Sequence, residues 1–335
     1  MDITARIRDE LESLLPQTSF VRNKSIAVLL PCYNEEATIA AVIESFRGVL
    51  PGSTIYVYDN NSTDRTTECA IAAGAVVRRE LYQGKGNVLR RMFADIDADI
   101  YVIADGDLTY DASAAGRLVD ALVSQNVDMV VGVRVPEGQA FRRGHRFGNR
   151  LFNRIVAHLF GEGFTDIFSG YRVVSRRFAK SFPATSSGFE IETELSVHAL
   201  DLKLATAEIP LRYDERPANS VSKLKTYSDG ARILVKILLM YKTLRPLPFF
   251  SAIFVALFLV SLALGAPVII TFVETGLVPR LPTAILAGGI MQLAFMSLTC
   301  GIIIEAISDS RREFKRMRYL ELSAPGVGRH DGRSA

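Results

Sequence analysis

The sequence predicts an α/β domain with a mostly parallel sheet and helices on both faces, followed by two membrane-crossing helices. Three observations predict it. Apolar runs of strand length alternate with segments of helical spacing from Ser25 to Val133, the pattern of βαβ units. Polar and acidic clusters sit at the ends of those runs, where open α/β sheets bind ligands. Beyond about Met240 the composition shifts to two long uncharged apolar runs.

The elements follow in order. Ser25–Pro31 is a continuous apolar run, and Glu35–Leu50 carries helical spacing at Ile39, Val42, Ile43 and Phe46. Thr54–Asp59 reads as a strand. Asp64–Ala73 reads as a helix opened by an Asn/Ser/Thr/Asp cluster that suits a turn and cap. Ala75–Arg79 is a short strand, Asn87–Ala94 a helix, and Asp99–Ala104 a strand ending at Asp105. Ala112–Ser124 is helical and Asp128–Val133 extended. Right-handed crossovers between such strands place helices on both faces. Further on, Phe141–Phe160 has helical spacing, Thr165–Tyr171 is a loop entering a strand, Phe189–Leu202 is helical and Ala205–Tyr213 extended.

Ser228–Thr243 carries an apolar stripe (Ile233, Leu234, Ile237, Leu238, Tyr241) with Arg232, Lys236 and Lys242 elsewhere. That suits an interfacial helix. Phe249–Val273 and Pro282–Ile304 each meet the ~20 residues needed to cross a ~30 Å hydrocarbon core. Lys236, Lys242 and Arg245 precede the first run. Arg311, Arg312, Lys315, Arg316 and Arg318 follow the second, while the connector Glu274–Arg280 holds one basic residue. The positive-inside rule then puts both flanks and the N-terminal domain in the cytoplasm, so the expected location is the inner (cytoplasmic) membrane, multi-pass. Small residues at Ala284, Ala287, Gly288 and Gly289 would let helices approach closely, an expectation of homo-oligomers. Met1–Pro16 is charged, lacks the apolar core of a signal peptide and has amphipathic spacing (Ile3, Ile7, Leu11, Leu14, Leu15).

The chain of 335 residues has a net charge of only +3 and no long basic run, which points away from nucleic acid. Cys32, Cys69 and Cys300 are widely spaced, which argues against a disulfide framework or a zinc site. His145, His158 and His198 are isolated and read as structural.

Four segments carry chemistry. Asp105-Gly106-Asp107 ends an apolar strand. Two carboxylates there can hold Mg²⁺ or Mn²⁺, which take oxygen ligands and substrate phosphates; a plain Asp/Gly turn is the competing reading. Asp59 also follows a strand and suits a base or ribose, whereas Asp64 is more simply a helix cap. Gly84-Lys85-Gly86 is not a Walker loop, yet Lys85 between glycines can approach a phosphate closely. Arg142, Arg143, Arg146, Arg150 and Arg154, interleaved with Phe141, Phe147, Leu151, Phe152 and Ile155, suit anionic headgroups. A solvated helix face is the alternative for any one of them.

Taken together, PCYNEE, VYDNNSTD, GKG and DGD, each at a strand or loop boundary and in that order, resemble the family 2 glycosyltransferases with a GT-A nucleotide-diphospho-sugar transferase fold. SGYR (Ser169–Arg172), FEIETEL (Phe189–Leu195), EIPLRY (Glu208–Tyr213) and SKLKTYSDG (Ser222–Gly230) are similar to the polyprenyl-phosphate branch, which includes dolichyl-phosphate mannose synthases. The similarity covers roughly residues 24–245. It implies Pro31, Tyr33, Glu35, Asp59, Lys85 and Asp105 at the nucleotide, and Asp105 with Asp107 at the diphosphate and metal. It implies Arg172, Arg212 and Lys223 near donor or acceptor phosphate, alongside the basic Arg142, Arg143 and Arg146. Asp166, Glu190 and Glu192 are the acidic catalytic candidates, with Asp166 alternatively a structural partner of an arginine in the 142–154 stretch.

The implied domains are an N-terminal extension (1–23), a catalytic domain (24–227), a juxtamembrane helix (228–248), two membrane helices within 249–307 and a basic tail (308–335). DGDLTYDA at Asp105–Ala112 departs from the DADLQHPP of mannose synthases, which favours a UDP-sugar over GDP-mannose. The absence of tryptophan excludes the QxxRW motif of processive synthases. The implied reaction is inverting transfer of a hexose from a nucleotide-sugar to a polyprenyl phosphate of undecaprenyl or dolichyl type, among membrane lipids. The alternatives are a hydroxyl acceptor on a lipid or glycan, and a catalytically degenerate membrane scaffold.

Overall fold

The computed structural model describes residues 24–136, 143–161, 163–213 and 226–325; the expected amphipathic extension at 1–23 lies outside them. The described residues fall into two units, divided between Ile233 and Leu234 and again between Phe314 and Lys315.

The first unit is built on a seven-stranded sheet. Its strands are β1 (Ile26–Cys32), β2 (Thr54–Asp59), β3 (Val76–Arg79), β4 (Ile100–Ile103), β5 (Met129–Pro136), β6 (Arg172–Ser175) and β7 (Thr206–Tyr213), in spatial order β3-β2-β1-β4-β6-β5-β7. β1 is parallel to β2 and β4, β2 to β3, and β5 to β7. β6 runs antiparallel to both β4 and β5, so the sheet is mixed.

Helices cover both faces: α1 (Ile39–Val49), α2 (Thr66–Ala72), α3 (Lys85–Asp95), α4 (Ala115–Ser124), α5 (Arg143–Phe160), α6 (Arg176–Ser181) and α7 (Ile191–Leu202). The alternation along β1 shows why both layers are needed. Val28, Leu30 and Cys32 join the core with α1 and α4, while Ala27 and Leu29 join the core with α3, α6 and α7. A strand buried on both faces carries no polar alternation, which is the signature at Ser25–Pro31.

β1 and β4 are neighbours from which the chain leaves in opposite directions across the sheet, so a crevice opens at their carboxyl ends. The loops after β1, β2, β3 and β4 all rise at that edge.

At the opposite edge the last turns of a long C-terminal helix return to this unit. Asp128, fully buried, accepts hydrogen bonds from Ser175 Oγ (2.8 Å), Arg177 Nε and Nη2 (2.5 and 3.0 Å) and the Tyr319 hydroxyl (2.8 Å). The Arg177 guanidinium also lies 4.6 Å over the Tyr319 ring. Lys315 lies 3.3 Å from the buried Asp201.

His198 on α7 is packed edge-on against Phe178 and Phe182, with Nε2 3.2 Å from Ser181 Oγ. Burial, aided by the charge of Lys315, pushes it down to about 3 from the usual 6.5. Above pH ~6.5 the ring is neutral folded or unfolded. Below it only the unfolded chain takes up the proton, so folding weakens by about 1.4 kcal/mol per pH unit. Thermal melts of wild type and His198→Leu at pH 7 and pH 5 check this. The wild type should lose about 2 kcal/mol more than the variant over that interval; equal losses would refute the assignment.

The second unit contains most of α8 (Thr226–Leu244), all of α9 (Pro246–Thr275) and most of α10 (Leu281–Leu320). α9 and α10 are long and apolar enough to cross a membrane, and only 11% of the most apolar stretch of each is buried, unlike a soluble core. Ala287, Ala294, Gly301 and Ser308 recur every seven residues on α10 and are its buried positions. There Ser261 Oγ donates to Ala287 O (2.8 Å), and a Cβ on Gly301 would meet Phe250 at 2.9 Å. The break between α8 and α9 is capped by one face of α10. Ser308 Oγ and Arg312 Nη2 donate to the carbonyls of Thr243 and Leu244, and Glu305 accepts from Leu247 N.

Candidate active site

A cavity of about 270 Å³ opens at the crevice between β1 and β4. β1 and its loop contribute Pro31, Tyr33 and Glu35; the loop after β4 contributes Asp105, Gly106 and Asp107. Gly84 and Lys85 at the start of α3, and Gly188 and Phe189 before α7, close it.

The glycine of the Asp-Gly-Asp segment is dictated by its neighbours. A Cβ at Gly106 would come 2.9 Å from Cys32 Sγ, and Thr38 Oγ1 donates to Gly106 O at 2.6 Å. This close approach binds the two loops together and directs both aspartates into one cavity. Asp107 is buried, and its Oδ1 accepts from Thr109 N (3.2 Å) and Thr109 Oγ1 (2.5 Å). Among the described residues no group of three His, Cys, Asp or Glu side chains could hold a metal ion by itself. Two carboxylates lining an open cavity instead fit Mg²⁺ or Mn²⁺, which take one or two carboxylates and complete the shell with water and phosphate oxygens.

Lys85 lies between two acids. Its Nζ contacts Asp105 Oδ1 and stands 2.6 Å from Glu192 Oε1. Lys85 and Glu192 side chains are both more than nine-tenths buried. Burial opposes the lysine charge, but the carboxylates of Asp105 and Glu192 outweigh it and raise its pKa. Burial likewise raises the Glu192 carboxyl, against the pull of Lys85. Gly170 completes the enclosure: a Cβ there would sit 2.7 Å from Asp105 Oδ2 and 3.1 Å from Lys85 Nζ. Tyr110, from the segment after the aspartates, fixes that glycine by accepting from Gly170 N at 2.8 Å.

The glycosyl transferase family 2 profile matches residues 27–182, which contain β1 to β6 and most of this site. The glycosyltransferase AglJ of Haloferax volcanii is 34% identical over 89% of this chain and 98% of its own length. This chain belongs to glycosyl transferase family 2. The dolichyl-phosphate hexose transferase of the same organism is 29% identical over 64% of this chain and 94% of its own. Glucosyl-3-phosphoglycerate synthase from Mycobacterium tuberculosis, solved with Mn²⁺, UDP-glucose and phosphoglyceric acid, superposes with a TM-score of 0.55. It is 26% identical and covers 67% of this chain and 81% of that one. The mixed sheet is therefore GT-A-like.

The remaining expected site residues of this transferase are distributed unevenly. Asp59 ends β2 but does not line the cavity; its carboxylate accepts from Ser62 N, at 3.1 and 3.3 Å. Its neighbour Asn60 does line it. Asn60 also donates to the carbonyls of Glu80 and Tyr82 and accepts from Gly84 N, pinning the loop that leads to Lys85. Glu190 precedes α7 with its carboxylate packed over Gly188, where a Cβ would meet Oε2 at 2.6 Å.

Asp166 is clamped by Arg134 of β5: Nε donates at 2.7 Å and Nη2 at 2.8 Å, while Phe168 N donates to Oδ1. Burial would raise its pKa, but the guanidinium lowers it below the usual carboxylate value. Among the described residues the structural partner of Asp166 is thus Arg134.

Arg172 is placed differently from the expectation that it meets a phosphate. It is fully buried, its guanidinium donates to the carbonyls of Ser169 and Ile167 (both 2.9 Å), and burial pushes its pKa down to about 10. Arg212 is exposed on β7. Arg143 and Arg146 fall in the first turns of α5, and Arg142 and Lys223 lie outside the described residues.

Asn60 and Gly170, at the cavity, and Arg134, the partner of Asp166, are residues that sequence reasoning missed. Asn60 lay one position from a residue singled out for its charge. Arg134 had one available signal, a lone arginine at the end of an apolar strand. Gly170 lay within the SGYR segment, but only the fold brings it against Asp105.

Proposed function

We propose that this transferase moves a hexose, with inversion, from a nucleotide-diphosphate sugar to a polyprenyl phosphate at the cytoplasmic face of a membrane. The observation that carries the reading is one cavity that assembles Asp105, Asp107 and Lys85 at the carboxyl edge of the sheet. Tyr33, Glu35 and Asn60 line the nucleotide side, and the ammonium of Lys85 faces the diphosphate side.

A divalent cation held by Asp105 and Asp107 would neutralise charge developing on the leaving diphosphate. Lys85, kept ionised by Glu192, adds fixed positive charge there, where preorganised electrostatics are worth more than in water. The UDP-glucose complex of the mycobacterial relative and the sequence DGDLTYDA both support a UDP-sugar.

The acids bear on the acceptor. A hydroxyl acceptor needs a base near pH 7, whereas a phosphate monoester, with a second pKa of about 6, is already largely ionised. Asp166 is held at low pKa with both oxygens occupied, an arrangement ill suited to a base. The likeness to a dolichyl-phosphate hexose transferase and the two candidate spans support a lipid phosphate. On this reading 24–227 is the catalytic domain, the basic flanks of the spans face the cytoplasm, and the Gly288-Gly289 pair, open on its outer side, is a surface for self-association.

The test is a donor panel. Full-length protein in mild detergent is given UDP- and GDP-hexoses, a short polyprenyl phosphate, and Mn²⁺, Mg²⁺ or EDTA, and the lipid fraction is read by mass spectrometry. One UDP-hexose should give a hexosyl-phosphate lipid that disappears with EDTA. Product from GDP-mannose alone would overturn the donor assignment. Product undiminished by EDTA would overturn the metal.

A further inference from the structure

We infer that Glu194, which does not line the cavity, is a positioning residue for the donor site, acting through the Thr185–Gly188 loop. The inference rests on the donor-site reading above. Three observations lead to it.

The loop is interlocked with the glycine turn that carries Lys85. Gly86 N donates to Ser187 O at 3.0 Å and Asn87 N to the same oxygen at 3.3 Å. A Cβ at Gly84 would lie 2.1 Å from Ser187 O, and one at Gly86 would lie 2.1 Å from Ser186 O. The two backbones touch with no room for a side chain between them. Wherever the loop moves, the start of α3 and Lys85 must follow. The same loop continues into Gly188 and Phe189, which wall the cavity.

The loop has little of its own to hold it. It reads Thr-Ser-Ser-Gly, it follows Ala184 in a left-handed conformation (φ 46°), and the buried Ser186 hydroxyl has no hydrogen-bond partner among the described residues. A non-glycine residue at such a φ is strained. Something else must fix the loop.

Glu194 supplies the restraint. Its side chain, one turn into α7, reaches back over the start of the helix, as helical side chains do. Oε1 accepts from Thr185 N (2.8 Å) and Thr185 Oγ1 (2.6 Å), and Oε2 accepts from Ser186 N (2.7 Å). Glu194 is 5% exposed. An acceptor-only group meets three donors, so an amide in its place would turn an NH₂ against a backbone N–H. The chain of contact runs from Glu194 to the loop, to the Lys85 turn, and to Asp105 and Glu192.

The experiment uses full-length protein in detergent and compares wild type, Glu194→Gln and Thr185→Val. The last removes one of the three donors from an exposed residue and leaves the fold intact. Donor and acceptor KM are measured separately. Amide hydrogen exchange is followed at Ser186, Gly86 and Asn87, together with melting temperature. Glu194→Gln should raise donor KM at least tenfold with acceptor KM within twofold, and speed exchange at those amides at least tenfold. Thr185→Val should shift both in the same direction, about threefold, and it decides alone should Glu194→Gln not fold. Unmoved donor KM and exchange, or donor and acceptor constants changing together in step with melting temperature, would overturn the inference. If wild type binds no UDP in Mn²⁺, the donor reading fails, and exchange at Gly86 and Asn87 still decides whether Glu194 positions the turn.

Discussion

Asp105→Asn and Asp107→Asn, made separately, should each lower turnover by about 10³-fold or more, since each removes a charge that holds the metal and balances the departing diphosphate. The two differ in what else they disturb. The amide oxygen introduced by Asp107→Asn could still accept from Thr109, so melting temperature should barely move. Asp105→Asn leaves the buried Lys85 with Glu192 as its remaining charged partner among the described residues. Losing part of a buried ion cluster costs on the order of 1–3 kcal/mol, so this variant should also melt lower. Turnover at saturating donor and Mn²⁺, measured beside thermal melts, separates the effects. Full turnover in Asp107→Asn would remove the metal from the account.

Gly86→Ala should be nearly as damaging, for a steric reason. The added Cβ would lie 2.1 Å from Ser186 O, 2.7 Å from its carbonyl carbon and 2.9 Å from Ser187 C. These are backbone atoms that cannot rotate away, so the loop must shift and its bond from Gly86 N is lost. Overpacking of this kind costs about 1–3 kcal/mol, and the displaced Lys85 should raise donor KM by about 10²-fold, in line with a misplacement of roughly 1 Å. Gly48→Ala is the control. It lies in α1 with nothing within 4 Å of its Cβ, so it should be neutral or stabilise by about 0.5–1 kcal/mol. A Gly86→Ala chain with wild-type donor KM would mean that the interlock does not set the site.

Much of this arrangement was legible because local chemistry dictates it. The apolar run at Ser25–Pro31, the acids at strand ends and the helical spacing at Ile39, Val42, Ile43 and Phe46 each follow from short-range periodicity, and they locate the crevice. The contacts that give the site its character are long-range. Lys85 meets Glu192 across more than a hundred residues, and Gly170 meets Asp105 only because β6 enters the sheet antiparallel beside β4. A four-residue strand carries too little pattern to reveal its direction. Asp166 was recognisable as an acid in need of a partner, but Arg134 was hidden as one charge on an apolar strand. For Arg172 the resemblance implied a phosphate, while its burial among carbonyls makes it part of the framework. The C-terminal basic stretch concealed Lys315 and Tyr319, whose contacts with Asp201 and Asp128 make them part of the first unit's packing.

Transfer to a phosphate is tested by offering one UDP-hexose two acceptors of equal chain length, a polyprenyl phosphate and the corresponding polyprenol, with diacylglycerol in a third reaction. A hexosyl-phosphate lipid is expected from the first acceptor, with at least a hundredfold less product from either hydroxyl. Efficient glycosylation of the polyprenol or of diacylglycerol, with the phosphate left unreacted, would contradict it.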